Sequence, residues 1–219
     1  LDRDGMFSGF VGAQKVSYNV IDYIWKTMLS KEQQSQMASF VPTEYNNIRI
    51  DDKGFVYATT SSISSDEITS TINGRSKDSK YSPVKRLNPT GNDVLVRSGY
   101  YSTVGDISFK FDSLGQAQVS VIADVALSPS GRYTIMDTRK NRLFTYSVDG
   151  ELLYAFSGTG NQVGNSITPV SITYKGEDLI LLDADAKGSS FTVFSITKYG
   201  TLIDEAYECY SRFEYDESV

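Results

Sequence analysis

Short stretches of alternating apolar and polar residues run along most of the chain and are separated by glycine-containing turns. One phrase, consisting of a strand-like stretch, a glycine turn and a second strand-like stretch, occurs at residues 50–57, 127–137 and 172–183. A second kind of turn follows each copy, at residues 87–91, 146–150 and 197–200. A period of two places alternate side chains on opposite faces of a sheet, so the pattern predicts half-buried β-strands.

The spacing of the repeated turns predicts the architecture. Gly131 and Gly176 hold the same place in successive copies and are 45 residues apart, whereas Gly150 and Gly200 are 50 residues apart. Four-stranded units that recur every 40–50 residues or so are typical of propeller blades. We therefore expect an all-β fold, a partial β-propeller of about three four-stranded blades plus a leading strand, over residues 1–206.

The clearest blade is predicted within residues 100–160. Tight-turn chemistry at 129–131 and at Asp149-Gly150 separates its strands. An alternating stretch at 107–111 predicts one further strand. The main strands are expected at 119–127, 132–137, 143–148 and 151–156. The preceding blade, at 45–100, contains a long polar loop at 60–82, and residues 168–206 are expected to repeat the plan.

Two segments depart from the β pattern. Residues 17–40 predict a short helical insertion, because apolar residues recur on one helical face from Val20 to Met28 and Ser30 opens a capping box. We expect it to pack on the outside or end of the propeller, and a lid or a partner-docking surface is the alternative. Residues 207–219 predict the start of a C-terminal helix.

The first residues resemble the end of a blade. Residues 1–5 are similar to the second kind of turn, and residues 6–12 match the strand-like stretch at 151–158. We therefore expect the sequence to be a fragment of a longer protein that begins inside a blade.

Composition narrows the range of functions. The net charge is −6 and the only basic cluster is at 139–142, so nucleic acid is not expected as a partner. Histidine is absent and Cys209 is the single cysteine, so His triads, His-ligated metals, internal disulfides and cysteine zinc sites are excluded. Without a run of 18 apolar residues, we expect no membrane contact within this segment. We expect no cofactor.

One loop resembles the NHL-repeat signature, in which an Asp ends one strand and an Asn and an Arg precede the next. Asp137, Asn141 and Arg142 stand in these places, with Asn141 one position later than usual. The next blade has the matching Asp183, but residues 184–190 contain neither Asn nor Arg.

The chain is also similar to a group of Firmicute surface proteins in which an NHL-type propeller precedes tetratricopeptide-like helices and a membrane region. The similarity lies in residues 9–16, 40–45, 99–101 and 194–200. The resemblance implies a Gram-positive bacterial protein that is extracellular or at the cell surface, tethered to the membrane in its full length and associated with carbohydrate ABC transport. It supplies no catalytic residues to transfer.

Two sets of residues are candidates for ligand binding. Arg97, Tyr100 and Tyr101 lie at a blade boundary, where aromatic rings could stack on sugar faces; core or inter-blade packing is the alternative. Arg139 and Arg142 could bind anionic ligands or acidic partners. A pairing of Arg142 with a carboxylate or with carbonyl groups inside its own blade is the alternative.

Three aspartates are candidates for metal binding. Asp137 and Asp183 end equivalent strands and could contribute to a ring of carboxylates, whereas the alternative is hydrogen bonding to the following loop. Asp183 and Asp185 also belong to a stretch that loosely resembles a calcium loop, but a third acidic residue and the terminal Glu are missing.

These observations favour a non-catalytic binding or scaffolding module for a protein or glycan partner, tied to carbohydrate uptake. The alternative is a metal-dependent propeller hydrolase or lactonase with carboxylate ligands, and a purely structural spacer is a third possibility. Three blades with open ends would expose apolar surface. We therefore expect the chain to associate, with two copies completing a six-bladed ring.

Overall fold

The computed structural model describes residues 44–64, 67–68, 82–96, 105, 119–186 and 188–213. These residues form three antiparallel sheets and a C-terminal helix. The first sheet contains β1 (Asn47–Ile50), β2 (Val56–Thr59) and β3 (Val84–Leu87). The second contains β4 (Ile122–Leu127), β5 (Tyr133–Asp137), β6 (Arg142–Tyr146) and β7 (Leu152–Phe156). The third contains β8 (Pro169–Lys175), β9 (Asp178–Asp185) and β10 (Gly188–Phe194), and α1 (Lys198–Ser211) follows it.

Each sheet is a simple meander in which strands that are consecutive in sequence are neighbours in space. The predicted strands of the clearest blade are confirmed to within a few residues. The predicted turns are confirmed as well: the amide of Gly131 donates to the carbonyl of Ser128 at 3.0 Å. Gly131 has a φ of +88°, which is costly for any residue with a Cβ, so the turn requires glycine there.

The three sheets pack face to face in sequence order, with their first strands side by side. The middle sheet is therefore covered on both faces, and two apolar clusters fill the two gaps. The first cluster joins Tyr57 and Val84 of the first sheet to Val125, Ile135 and Phe144 of the second. The second joins the second sheet to the third through Ala126, Met136, Leu143, Ile172, Leu179 and Leu181. This arrangement confirms the all-β, propeller-like fold class.

A polar contact also crosses both gaps near the inner strands. Asn47 and Asp124 occupy equivalent register positions, since each faces the fourth residue of the second strand of its own sheet, and Ser171 faces the fifth residue of β9. Asp124 is fully buried and accepts hydrogen bonds from the side chains of both Asn47 and Ser171. One carboxylate therefore links the inner strands of all three sheets.

The third sheet differs from the prediction after β10. Residues 197–200 were expected to form a turn into a fourth strand, and the helix was expected to start at 207. Instead, Thr197 caps α1, because its side chain accepts a hydrogen bond from the amide of Gly200. A Cβ at Gly200 would lie 2.9 Å from the Cγ1 atom of Ile196, so this glycine permits a close approach within the helix start rather than a turn.

Several predictions fall on residues outside the described ranges. These are the leading strand, the helical insertion at 17–40, the strand at 107–111, most of the polar loop at 60–82 and the end of the C-terminal segment. Among the residues that the structure describes, no helix is long and apolar enough to cross a membrane.

Candidate functional site

The predicted ligand-binding residues are not brought together within the described part of the chain. Arg97, Tyr100 and Tyr101 lie outside the described residues. The guanidinium of Arg139 donates to the carbonyl of Val119 at 3.2 Å, in the segment that leads into β4. Arg142 is exposed at the start of β6, and its guanidinium lies 6.0 Å from the centre of the Phe144 ring.

Asp137 holds the backbone of its own sheet. Its side chain is fully buried, and its Oδ1 atom accepts hydrogen bonds from the amides of Val121 at 3.0 Å and Arg139 at 2.8 Å. These bonds fix the start of β4 and the turn between β5 and β6. The geometry therefore matches the structural alternative for this residue.

Asp183 plays the same part in the third sheet. Its two carboxylate oxygens accept hydrogen bonds from the amides of Ile167 at 2.8 Å and Thr168 at 2.7 Å, just before β8. Asp185 accepts from the amide of Gly188 at 3.1 Å, across the turn between β9 and β10. Within the described residues, no group of three or more Asp, Glu, His or Cys side chains could hold a metal ion.

Asn141 connects two sheets. Its backbone has a φ of +53°, a left-handed conformation that Asn tolerates better than most residues. Its buried side-chain amide donates to the carbonyls of Ser166 at 3.1 Å and Ile167 at 2.9 Å, in the segment that leads into the third sheet. The NHL-like loop thus ties the second sheet to the third.

An apolar pocket of about 290 Å³ lies where the outer edge of the second sheet, the third sheet and the first turn of α1 meet. Leu179, Ile196 and Ile203 contribute aliphatic walls, whereas Glu177 is the single charged residue of the lining. Five aromatic residues line the pocket: Tyr154, Phe156, Tyr174, Phe194 and Tyr199.

The aromatic walls are held by contacts among themselves and by hydrogen bonds at their rims. The rings of Phe156 and Phe194 meet edge to face, with centres 5.0 Å apart, and Tyr154 lies beside Phe156 with centres 6.1 Å apart. The hydroxyl of Tyr174 bonds to that of Thr134 at 2.7 Å. Because two of these three contacts join different sheets, the positions of the pocket walls are fixed by the fold and the pocket is preorganised for binding.

A buried arginine lies next to the pocket. Arg132 donates to the hydroxyl of Tyr154 at 2.8 Å and to Ser130 at 2.9 Å, and it forms ion pairs with Glu177 and Asp204. Two carboxylates therefore surround one guanidinium. One oxygen of Asp204, Oδ1, is buried without a hydrogen-bond partner.

The electrostatics follow from this burial. Burial acts to lower the pKa of Arg132, but Tyr154, Asp204 and Glu177 outweigh it and raise that pKa. Burial raises the pKa of Asp204, against the opposing effect of Arg132. Burial also raises the pKa of Tyr154 to about 12, so its phenol remains protonated near neutral pH.

The same cluster docks α1 against the second sheet. Asp204 lies on α1 and pairs with Arg132 at the start of β5, and the hydroxyl of Tyr207 donates to Asp149 in the turn before β7. The helix therefore covers one side of the pocket through two polar contacts on successive turns. The arrangement can enclose an apolar group, with the carboxylate of Glu177 at its edge.

Sequence reasoning did not identify this site. Its residues come from positions 132 to 204, which become neighbours only because two sheets and a helix converge. One signal was available in the sequence: Tyr154 and Phe156 lie on the last strand of one repeat, and Tyr174 and Phe194 lie on the first and last strands of the next. That signal does not distinguish a pocket from core packing.

Comparisons with known proteins give only distant similarity. No family model and no curated protein matches the chain. A protein of unknown function from Bacteroides thetaiotaomicron has a similar structure, with 13% identity, 73% of this chain and 38% of that chain covered, and a TM-score of 0.42. Virginiamycin B lyase from Staphylococcus aureus is 14% identical, with 72% of this chain and 57% of that chain covered and a TM-score of 0.31. A putative glucose dehydrogenase from Thermus thermophilus is 13% identical, with 72% of this chain and 54% of that chain covered and a TM-score of 0.33. The chain spans about half the length of these proteins or less.

Proposed function

We propose that the chain is a non-catalytic binding module that holds an apolar side chain of a protein partner in the aromatic pocket. The observation that supports this most directly is the pocket itself, an apolar cavity with walls fixed by contacts between two sheets and α1. Its volume of about 290 Å³ lies at the lower end of the range for ligand pockets, which suits one anchoring side chain.

The chemistry of the lining favours a protein anchor over a glycan. A sugar ring carries several hydroxyls, and each one buried without a partner costs about 1–3 kcal/mol. The pocket has few groups to satisfy them, because Glu177 already pairs with Arg132 and the Thr197 hydroxyl caps α1. An aromatic or branched aliphatic side chain has no such requirement and buries its whole surface.

The described carboxylates also support binding rather than metal-dependent hydrolysis. Asp137 and Asp183 hold backbone amides in different sheets, and Asp124 holds the inner strands together. A hydrolase site would need several such groups converging on one point in a cleft. Each of these three carboxylates instead accepts hydrogen bonds that hold strands or sheets together.

The cellular context of this proposal rests on sequence resemblance. Asp137, Asn141 and Arg142 follow the NHL pattern, and the similarity to Firmicute surface proteins supports an extracellular or cell-surface location. We propose that the module works there within a nutrient-uptake assembly. The partner is then a protein of that assembly.

Binding of small probes to the full chain, followed by NMR, tests the proposal. Indole, which represents an aromatic side chain, is expected to shift the resonances of residues around Phe156, Phe194 and Tyr199. Methyl β-glucoside, which represents a glycan, is expected to leave them in place. Equal binding of both probes would favour a glycan partner, and an absence of shifts around the pocket would overturn the proposal.

A pair of tyrosine variants on α1 provides a matched control. Tyr199 lines the pocket and is 75% exposed, whereas Tyr210 is on the same helix, 60% exposed and away from the lining. Tyr199→Ala is expected to weaken indole binding several-fold, since it removes one aromatic wall. Tyr210→Ala is expected to leave the affinity unchanged, and an equal loss in both variants would contradict assignment of the site.

A further inference from the structure

The outer edge of the third sheet, β10, has no paired strand on its outer side among the described residues. The second sheet has four strands and ends in β7, whereas the third sheet has three and ends in β10, because the chain continues into α1. In the described part of the chain, no backbone hydrogen bond runs from residues 189–194 to anything other than β9. None of the described strands therefore occupies the place beside β10 that corresponds to β7.

This edge lacks the features that normally prevent strand addition. Natural edge strands are usually short or carry Lys, Pro or a bulge, because a row of unpaired amides and carbonyls is a template for another strand. β10 has seven residues, with neither a charge nor a proline among them, and it pairs with β9 without a register shift. Its sequence, Gly188 to Phe194, is rich in β-branched and aromatic residues after the first three positions.

The surface next to this edge is apolar. Phe191 and Val193 are directly opposite Leu182 and Ile180 of β9, so the four side chains share one face of the sheet. Phe191 is 72% exposed and Val193 is 57% exposed, so this face offers apolar area to an incoming strand. The opposite face, with Leu179 and Phe194, is the one that packs against the second sheet.

We propose that β10 is a strand-addition site, and that its occupant is an extended segment of a partner protein that pairs antiparallel with it. The second sheet shows what such a segment looks like, since β7 pairs antiparallel with β6 in the same relative position. β7 reads Leu-Leu-Tyr-Ala-Phe, and it carries no charge. The occupant is therefore an uncharged, predominantly apolar strand of about five residues, bound through main-chain hydrogen bonds with its side chains giving selectivity. Phe194 of β10 also lines the aromatic pocket, but its side chain lies on the opposite face of the sheet from Phe191 and Val193, so the proposal does not depend on the function of the pocket.

A fluorescent peptide with the sequence of residues 152–158, which contains no charged residue, serves as the probe for this edge. Its affinity for the full chain is measured by fluorescence anisotropy, and its position is mapped by NMR. We expect saturable binding that shifts the amides of residues 189–193, whereas shifts confined to the pocket residues around Phe156 and Tyr199 would contradict the proposal. A scrambled peptide is expected to bind at least tenfold more weakly, and equal affinity of the two would overturn the proposal.

Two further controls test the mode of binding. N-methylation of alternate peptide residues removes the main-chain donors on one side of a strand at a time. We expect one alternate set to weaken binding at least tenfold and the other set to have little effect. Similar losses from both sets would show that the peptide does not bind as an added strand.

Variants of the chain complete the test. Val193→Lys places a charge on the exposed face beside the edge, and it is expected to weaken peptide binding about tenfold, which corresponds to about 1.4 kcal/mol. Val96→Lys, at a valine that is 49% exposed and lies beyond β3 of the first sheet, is the matched control and should leave the affinity unchanged. Circular dichroism of both variants verifies folding, and an unchanged affinity in a folded Val193→Lys variant would contradict the proposal.

Discussion

Ser171 in the third sheet donates a 2.6 Å hydrogen bond to the carboxylate of Asp124 in the second sheet. The amide of Ile172 donates to the same oxygen at 2.8 Å, and the side chain of Asn47 in the first sheet donates to the other oxygen. Asp124 has no exposed surface, and Arg49 lies 3.8 Å from it. A single buried carboxylate therefore connects all three sheets at their inner strands.

The first prediction concerns this connection. Asp124→Asn keeps the shape of the side chain but replaces one carboxylate oxygen with an NH₂ group. The hydrogen-bond donors that faced that oxygen then lose their acceptor. We expect the free energy of unfolding to fall by about 3 kcal/mol, since breaking one side of a buried, charged hydrogen-bond network has a cost of this order. Urea unfolding followed by circular dichroism measures the change.

The control for this prediction is Asp178→Asn, which alters an exposed carboxylate at the first residue of β9. Substitutions at such positions change stability by no more than about 0.5 kcal/mol. Comparable losses in the two variants would show that Asp124 does not join the sheets energetically.

Asp124 also illustrates what sequence alone conveys about this fold. Strands and glycine turns were predicted correctly because their causes are local: alternation decides the pleat, and the positive φ of Gly131 requires glycine. The alternation also places Asp124 on the same face as Ala126, which is buried. A charged residue on an apolar face was therefore a signal of a buried contact, but its partners come from two other repeats.

The incorrect assignment after β10 has a different cause. Thr197 and Gly200 are as suitable for a helix cap as for a turn between strands, so local chemistry leaves both outcomes open. The choice depends on what α1 can pack against. Ile203 reaches the aromatic pocket, and Tyr207, one turn later, reaches Asp149. Those contacts are non-local, as are the contacts that make the pocket, and the sequence pattern predicts neither.

The second prediction concerns Asn141. Asn141→Asp retains a residue type that tolerates a left-handed backbone, but a carboxylate cannot donate to the carbonyls of Ser166 and Ile167. We expect a loss of about 2 kcal/mol at pH 7, the order of cost for a buried group without its hydrogen bonds. Thermal unfolding at pH 7 and pH 4 measures it, and part of the loss should be recovered at pH 4, because a protonated carboxyl can donate again.

Asn141→Gly separates the two contributions of this residue. Glycine adopts the positive φ readily but has no side-chain amide, so its stability loss should not depend on pH. If the Asp variant were as stable at pH 7 as at pH 4, donation to the two carbonyls would not be what ties the second sheet to the third.

The third prediction concerns the docking of α1. Arg132→Met retains most of the side-chain volume but leaves Glu177 and Asp204 without their cation. Removal of one partner from a buried ion pair costs about 3–5 kcal/mol, and we expect the lower part of that range because Glu177 is partly exposed. Amide hydrogen exchange in residues 198–211 is expected to accelerate more than exchange in β5 or β6, since the helix loses its anchor.

Arg212→Met provides the comparison for Arg132. Arg212, the C-cap residue of α1, also pairs with a glutamate, Glu208 at 3.5 Å, but both side chains are exposed and the residues are four positions apart. Such pairs contribute less than about 1 kcal/mol, so exchange in α1 should remain close to that of the unmodified chain. Undocking in both variants, or in neither, would show that the Arg132 cluster does not hold the helix.

The fourth prediction concerns alkaline pH. Burial raises the pKa of Tyr154 to about 12 and also raises the pKa of Tyr57 and Tyr174 above the ordinary value of 10. The fold therefore favours the neutral phenols. Between pH 10 and pH 12 the unfolded chain binds fewer protons than the folded chain, so the stability that is fully present below pH 10 declines as the pH rises through that window. Urea unfolding at intervals between pH 8 and pH 11 measures the decline.

A phenylalanine at position 154 tests whether the decline comes from these tyrosines. Tyr154→Phe loses the hydrogen bond from Arg132, which lowers stability at pH 8 by about 1 kcal/mol, but it also removes one of the groups whose ionisation opposes folding. Its stability should therefore fall less steeply above pH 10 than that of the unmodified chain, and the two curves should converge. Tyr210→Phe changes an exposed tyrosine and is expected to follow the unmodified chain throughout. If the stability of Tyr154→Phe fell as steeply up to pH 11 as that of the unmodified chain, ionisation of the Tyr154 phenol would not be a source of the alkaline instability. The Tyr154 side of the pocket would then be in contact with more water than its packing indicates.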